Sequence, residues 1–300
     1  PVSRRTRNIT EVLAAGDAAC YRAKESGRNQ VCEQETLNNQ ERRQEPGNWA
    51  SRISIALADD RLMLEALPLA ALQDDVPGGH LVEIGARLNE PGQPPIALSA
   101  LMDAAERYDL APAIDLRFID CAITALARAK QTKRTLCCLV PISRASLGQS
   151  TLVEYIGQSL AGHGLAGSGL CLLFSEDVST HQSSQVPEFL RQLRVLGCKV
   201  GLSDFGGGLS SFSHLHTIAP SYIKLSTSLT RDLGGNRAST ALLRAVQEIT
   251  ADLGIYSIAE SIDERSAVER LKSLGISYAQ GKAIGPCEPF EVWLEGAVLR

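Results

Sequence analysis

The chain lacks a strong charge of either sign, since 30 Lys and Arg against 34 Asp and Glu leave a net charge of −4. That field does not draw in polyphosphate, so DNA, RNA and anionic membrane surfaces are not expected as partners held by net charge. No run of ~18 apolar residues occurs, and there is no signal-peptide pattern, so these residues are not expected to span a membrane. No glycine-rich GxGxxG follows the first strand-like segment and no GxxxxGK[ST] occurs, which removes the usual dinucleotide and P-loop signatures. Eight cysteines are present, but none has the CxxC or Cys/His spacing that a zinc site needs.

What is present is enough apolar residue for a large core. With 44% hydrophobic and 21% charged residues, 300 residues make one large globular domain plus an appendage. Most cysteines lie in apolar runs such as TLCCLV and GLCLLF and read as small core residues of a reduced, cytoplasmic protein. The first residue is Pro1 rather than Met, so a fragment of a longer chain is expected.

Residues 9 to 28 have helical spacing, with Val12, Leu13, Ala19 and Tyr21 on one face and a stop at Gly27. The polar stretch CEQETLNNQERRQEPG has a linker's composition and ends at Pro46 and Gly47. From Trp49 onward, short β-type runs alternate with amphipathic segments. The runs are RLMLEALPL, HLVEIGARL, TLCCLVPIS, GLCLLF, KVGLSDF, SYIKLS, YSIAES and SYAQG. About eight strands over ~250 residues, with helices between them, predict an α/β fold of the (β/α)8 barrel type. In such a barrel the chemistry sits at the C-terminal ends of the strands, where Glu83, Glu176, Asp204, Lys224, Glu260 and Gln280 fall.

Taken in order, VGLSDFGGGLSSFSHL, SYIKLS, SIAESIDE and YAQGKAIGPCEP resemble the DDFGTGYSSL, KID, AEGVE and QGY blocks of EAL domains, the cyclic di-GMP phosphodiesterase family. Upstream, VEIGARL is similar to the EALLRW signature, and SALMDAAERYDLAPAID to the helix pair after it. The resemblance covers Trp49 to Pro289. Separately, AAGDAACYRAKESGRNQV is similar to the last helix and turn of a GGDEF domain, which implies a remnant of that domain over 1–33, a linker over 34–48 and an EAL domain over 49–300.

The family resemblance implies hydrolysis through two divalent metals held by hard oxygen donors. Of the four positions that would hold one metal, Glu83 is kept, while Pro141, Leu173 and Ser203 replace an Asn, a Glu and an Asp. Ser226 also replaces the Asp of KID. Apolar side chains cannot coordinate a hard cation, so the resemblance implies a degenerate member with no catalytic residues and no metal or other cofactor requirement. A reduced one-metal site from Glu83, Asp204 and Glu260, with weak phosphodiesterase activity, is an alternative.

Ligand recognition needs other groups: a guanidinium fork for phosphate and carboxylates for guanine. The resemblance places Arg87 at a phosphate, Asp115 at a guanine as in FimX-like receptors, and Glu260 at the far end of cyclic di-GMP. Glu83, Glu176, Asp204, Lys224 and Gln280 complete the implied ligand-binding set, whereas Leu67 replaces the Gln of the family's QPI. Each has a plainer alternative. Arg87 could pair with a nearby carboxylate, Asp115 could cap the helix that follows, and Gly206 to Gly208 could be a connector rather than an anion nest. The FimX-like resemblance implies a receptor that signals through a protein partner, such as a PilZ-type adaptor in pilus control. A second alternative is an interaction module that has lost the nucleotide altogether.

Overall fold

The computed structural model describes residues 46–59, 61–90, 92, 94–98, 101–176, 185–206, 215–230 and 237–299. The expected helix over 9–28, the GGDEF-like remnant, most of the linker, and Gly207 and Gly208 lie outside the described residues. The chain falls into two compact units, one of residues up to Leu62 with Leu88–Ala111, the other of Met63–Arg87 with Pro112–Arg300.

In the first unit the described elements are α1 (Pro46–Ala58), the two-residue β3 (Ile96–Ala97) and α2 (Met102–Arg107). Helix α1 was not among the predicted elements, and it begins inside the stretch assigned to the linker. It buries Ile53 and Ala56, while Leu101 and Ala105 are buried near and in α2, against which α1 packs. Arg52 of α1 donates through Nε to Glu90 Oε1 at 2.8 Å and stacks 3.6 Å from the Trp49 ring centre.

The second unit is the barrel. Its strands are β1 (Leu62–Ala71), β2 (His80–Leu88), β4 (Leu136–Pro141), β5 (Leu170–Ser175), β6 (Lys199–Phe205), β7 (Tyr222–Leu225), β8 (Tyr256–Ala259) and β9 (Tyr278–Gln280). All eight predicted strands are found. Around the ring, β2 with β4 and each successive pair from β4 to β9 are parallel. Strand β1 pairs with both β2 and β9 and so closes the ring. It runs antiparallel to β9, which departs from an all-parallel (β/α)8 ring. A hairpin-like link from β1 to β2 needs only the short 72–79 connection, whereas a parallel pair needs a crossover of a dozen residues or more. Strand β10 (Glu288–Pro289) extends the sheet beyond β1.

Outside the ring run α3 (Ala111–Gln131), α4 (Ser150–Gly162), α5 (Val186–Val195), α8 (Arg237–Asp252) and α9 (Arg265–Ser273), with short α6 (Leu215–Ile218) and α7 (Thr227–Thr230) at the rim. The C-terminal α10 (Phe290–Leu294) buries Phe290, Trp293 and Leu294. Inside the ring, Leu81, Leu139, Cys171, Leu173, Tyr222, Ile258 and Tyr278 form one apolar cluster. Because strand side chains alternate faces, the residues two positions further along each strand form the next layer toward the C-terminal mouth.

Cysteine placement follows the prediction in part. Cys138, Cys171 and Cys198 are buried thiols and Cys121 and Cys137 half-buried, but Cys287 is exposed. Among the described residues no helix is long and apolar enough to cross a membrane.

Candidate functional site

Counting two residues up from the apolar cluster gives Glu83 from Leu81, Pro141 from Leu139, Leu173 from Cys171, Lys224 from Tyr222, Glu260 from Ile258 and Gln280 from Tyr278. Ser203, two beyond Gly201, completes this layer on β6. The layer is split by side. On β2, β7, β8 and β9 it is polar; on β4, β5 and β6 it is Pro141, Leu173 and Ser203.

The polar half is a bonded network. Lys224 Nζ donates to Glu83 Oε1 at 2.9 Å and Oε2 at 2.7 Å, and it pairs with Glu260 Oε2 at 2.8 Å. Gln280 Nε2 donates to the same Glu83 Oε2 at 2.8 Å and to the Leu67 carbonyl at 3.3 Å. Glu83, Lys224 and Gln280 are all buried, and Lys224 is only 6% exposed. Burial would lower the Lys224 pKa, but Glu83 and then Glu260 outweigh it and raise the ammonium above the ordinary lysine value.

The apolar half leaves no cage. Leu173 is 2% exposed, its strand neighbour is Pro141 on one side and Gly201 on the other, and its Cδ2 fills the space a Gly201 side chain would need. Among the described residues, Ser203 Oγ donates to the Phe174 carbonyl at 3.5 Å. A divalent metal wants six or so hard oxygens, and this half offers one hydroxyl while Lys224 and Gln280 already take three of the roughly four acceptor sites of Glu83. The residues present do not fit the family's metal pair. The reduced set of Glu83, Asp204 and Glu260 is not assembled either: among the described residues no three His, Cys, Asp or Glu groups come together as a metal would require.

The remaining expected site residues have other partners. Asp204 is exposed and sits at φ 57° in an irregular stretch of β6, a left-handed conformation that Asp tolerates better than most residues. Glu176 Oε2 accepts from the Gly206 N–H at 2.9 Å and so anchors the residue that follows β6. Asp115 is not an N-cap, because α3 starts four residues earlier, at Ala111, with Pro112 well suited to a first helical turn. It is 1% exposed and accepts from Ser143 N at 3.1 Å and Ser143 Oγ at 2.5 Å, which ties α3 to the segment after β4. Ser226, in place of the KID Asp, instead bonds Ser228 Oγ at 2.9 Å at the start of α7.

Arg87 is at the rim, with 43% of its side chain exposed. Its Nε lies 2.7 Å from Glu65 Oε1 and 2.8 Å from Oε2. The Glu65 hydrogen bond and charge hold the guanidinium pKa above its ordinary value, and the Cys287 thiol adds to this. Glu65 was missed from sequence. The signal was a lone acid inside the apolar run LMLEALPL, two residues before Leu67 and on the same strand face.

The EAL domain family profile matches residues 51–287. The chain belongs to the EAL domain family. Cyclic di-GMP phosphodiesterase PdeB of Shewanella oneidensis is 30% identical over 290 residues, covering 96% of this chain and 34% of PdeB. The bifunctional diguanylate cyclase/cyclic di-GMP phosphodiesterase MucR of Pseudomonas aeruginosa is 25% identical, covering 94% of this chain and 41% of MucR. Among solved structures, the Xanthomonas citri FimX EAL domain in complex with c-diGMP has a TM-score of 0.74 at 27% identity, covering 84% of this chain and 97% of that one. This EAL chain therefore spans well under half the length of either named relative, but nearly all of the FimX domain.

Proposed function

We propose that this EAL chain is a non-catalytic cyclic di-GMP receptor of the FimX-like type, which signals through a protein partner and requires no metal. One observation carries the proposal: Lys224 occupies both oxygens of Glu83 and one of Glu260, while Pro141, Leu173 and Ser203 make up the facing half of the layer. Lys224 and Gln280 together take three of the roughly four acceptor sites of Glu83, which leaves little of that carboxylate for a metal pair. Groups suited to a dinucleotide persist at the rim, with Arg87 for a phosphate and Glu260 for a guanine edge. The likeness to a FimX EAL domain solved with c-diGMP supports this reading. The match of MucR over 94% of the chain supports a GGDEF-type module as the companion segment. A PilZ-type adaptor as partner and pilus control follow from the FimX-like reading alone, and a cytoplasmic setting is supported by the buried free thiols Cys138, Cys171 and Cys198.

A second reading, an interaction module without nucleotide, is favoured by the commitment of Arg87 to Glu65 and of Asp115 to Ser143. Calorimetric titration with cyclic di-GMP, with and without Mg²⁺, separates the two. The receptor reading expects saturable, Mg²⁺-independent binding and no linear pGpG on prolonged incubation with Mg²⁺ or Mn²⁺. Absence of binding favours the interaction module. Metal-dependent pGpG that disappears in Glu83→Gln overturns the non-catalytic assignment.

A further inference from the structure

Strand β1 runs against its neighbours, so its N-terminal residues arrive at the C-terminal mouth of the barrel. That direction puts Glu65 beside Arg87, near the end of β2. Glu65 is 9% exposed, and Arg87 is its one ion-pair partner among the described residues. A nearly buried carboxylate without a counter-charge is costly, so Arg87 is bound to Glu65 by the needs of the fold. The pKa of the Cys287 thiol, just before β10, is raised to about 11 by burial and then by Glu65. The second cation of the mouth, Lys224, is already shared by Glu83 and Glu260. In this network of described residues, Arg87 and Lys224 serve Glu65, Glu83 and Glu260, and a phosphodiester brought to Arg87 lies within a few ångströms of the Glu65 charge, where like charges repel.

We propose that Glu65 is a resident competitor for the phosphate at Arg87, a residue of this chain that sets how tightly an anionic cyclic dinucleotide is held. The proposal rests on the receptor reading above. Removing only the charge of Glu65 frees the guanidinium for a ligand phosphate without opening a cavity, because Gln has the same size and can still accept from Arg87 Nε.

The test is a double-mutant cycle of cyclic di-GMP titrations on the wild type, Glu65→Gln, Arg87→Ala and the double variant, each checked for folding by thermal melting. Glu65→Gln is expected to bind about tenfold tighter, the size of one charge-assisted hydrogen bond, and the gain is expected to vanish when Arg87 is also replaced. Unchanged or weaker binding in Glu65→Gln, alongside a wild type that binds, overturns the competitor role and leaves the receptor reading intact. A gain that survives in the double variant overturns the route through Arg87. If neither the wild type nor Glu65→Gln binds, both the competitor role and the receptor reading fall.

Discussion

Lys224 is a buried cation whose position depends on two acids, and removing it strands both. Lys224→Met leaves Glu83 and Glu260 facing each other with only Gln280 in support, and it is expected to cost about 3–5 kcal/mol, read from the urea midpoint at constant m-value. The same residue contributes to pH dependence. Its folded pKa lies above the ordinary lysine value, so its contribution is present below about pH 10.4 and is lost as pH rises through the folded value. Burial also pushes the Cys121 and Cys198 thiols up to about 12 from 9.0, so their contribution is present below pH 9 and disappears between 9 and 12. Urea midpoints are therefore expected to fall steadily from pH 9 upward; a flat profile to pH 11 contradicts these raised values. At this scale, Glu83, Lys224, Glu260 and Gln280 were legible in the sequence, since each is polar at a strand end. Their mutual bonding was not, because it depends on strands up to 197 residues apart. Glu65 was hidden for a related reason: an acid in an apolar run has meaning only once its cross-strand neighbour is known.

The elements were the most legible part. Short apolar runs bounded by polar or glycine-containing turns marked every barrel strand, because a strand buried on both faces needs no alternation. Helix α1 escaped because its burial is against α2, across a long sequence gap that local periodicity does not report. The direction of β1 is likewise a pairing property. Connections decide more than strands do at Gly281, which follows Gln280 with φ 143° and lies where an added Cβ would be 2.3 Å from Ile262 N and 2.4 Å from Ile262 O. The Ile262 N–H in turn donates to the Gln280 carbonyl at 3.0 Å, so the β8 and β9 ends are laced together beside the site. Gly281→Ala is expected to lose about 3 kcal/mol through strain and overlap. Gly78→Ala, which meets nothing within 4 Å, is expected to be neutral or slightly stabilising in the same denaturation assay.

For the barrel as a whole, the split layer makes a statement about metal that can be reversed. Restoring oxygen donors with Pro141→Asn, Leu173→Glu and Ser203→Asp together is expected to lower the melting temperature without metal, since a carboxylate then replaces a 2%-exposed leucine. Added Mn²⁺ is expected to recover part of it, by about 2.7 kcal/mol at a hundredfold excess over Kd. The wild type is expected to show no Mn²⁺-dependent shift, and a clear upward shift in the wild type contradicts the misfit of the donor set.

By itself the sequence determined the family, the succession of strands and helices, and the loss of oxygen donors at three positions, because these are written in local residue types and their order. The tertiary structure alone decided that Lys224 occupies Glu83 and Glu260, that Asp115 serves Ser143 inside a helix, and that Glu65 holds Arg87. Those outcomes depend on which strands become neighbours and in which direction they run. A carboxylate's role is set by the charge it meets, and in a closed barrel that charge comes from a distant part of the chain.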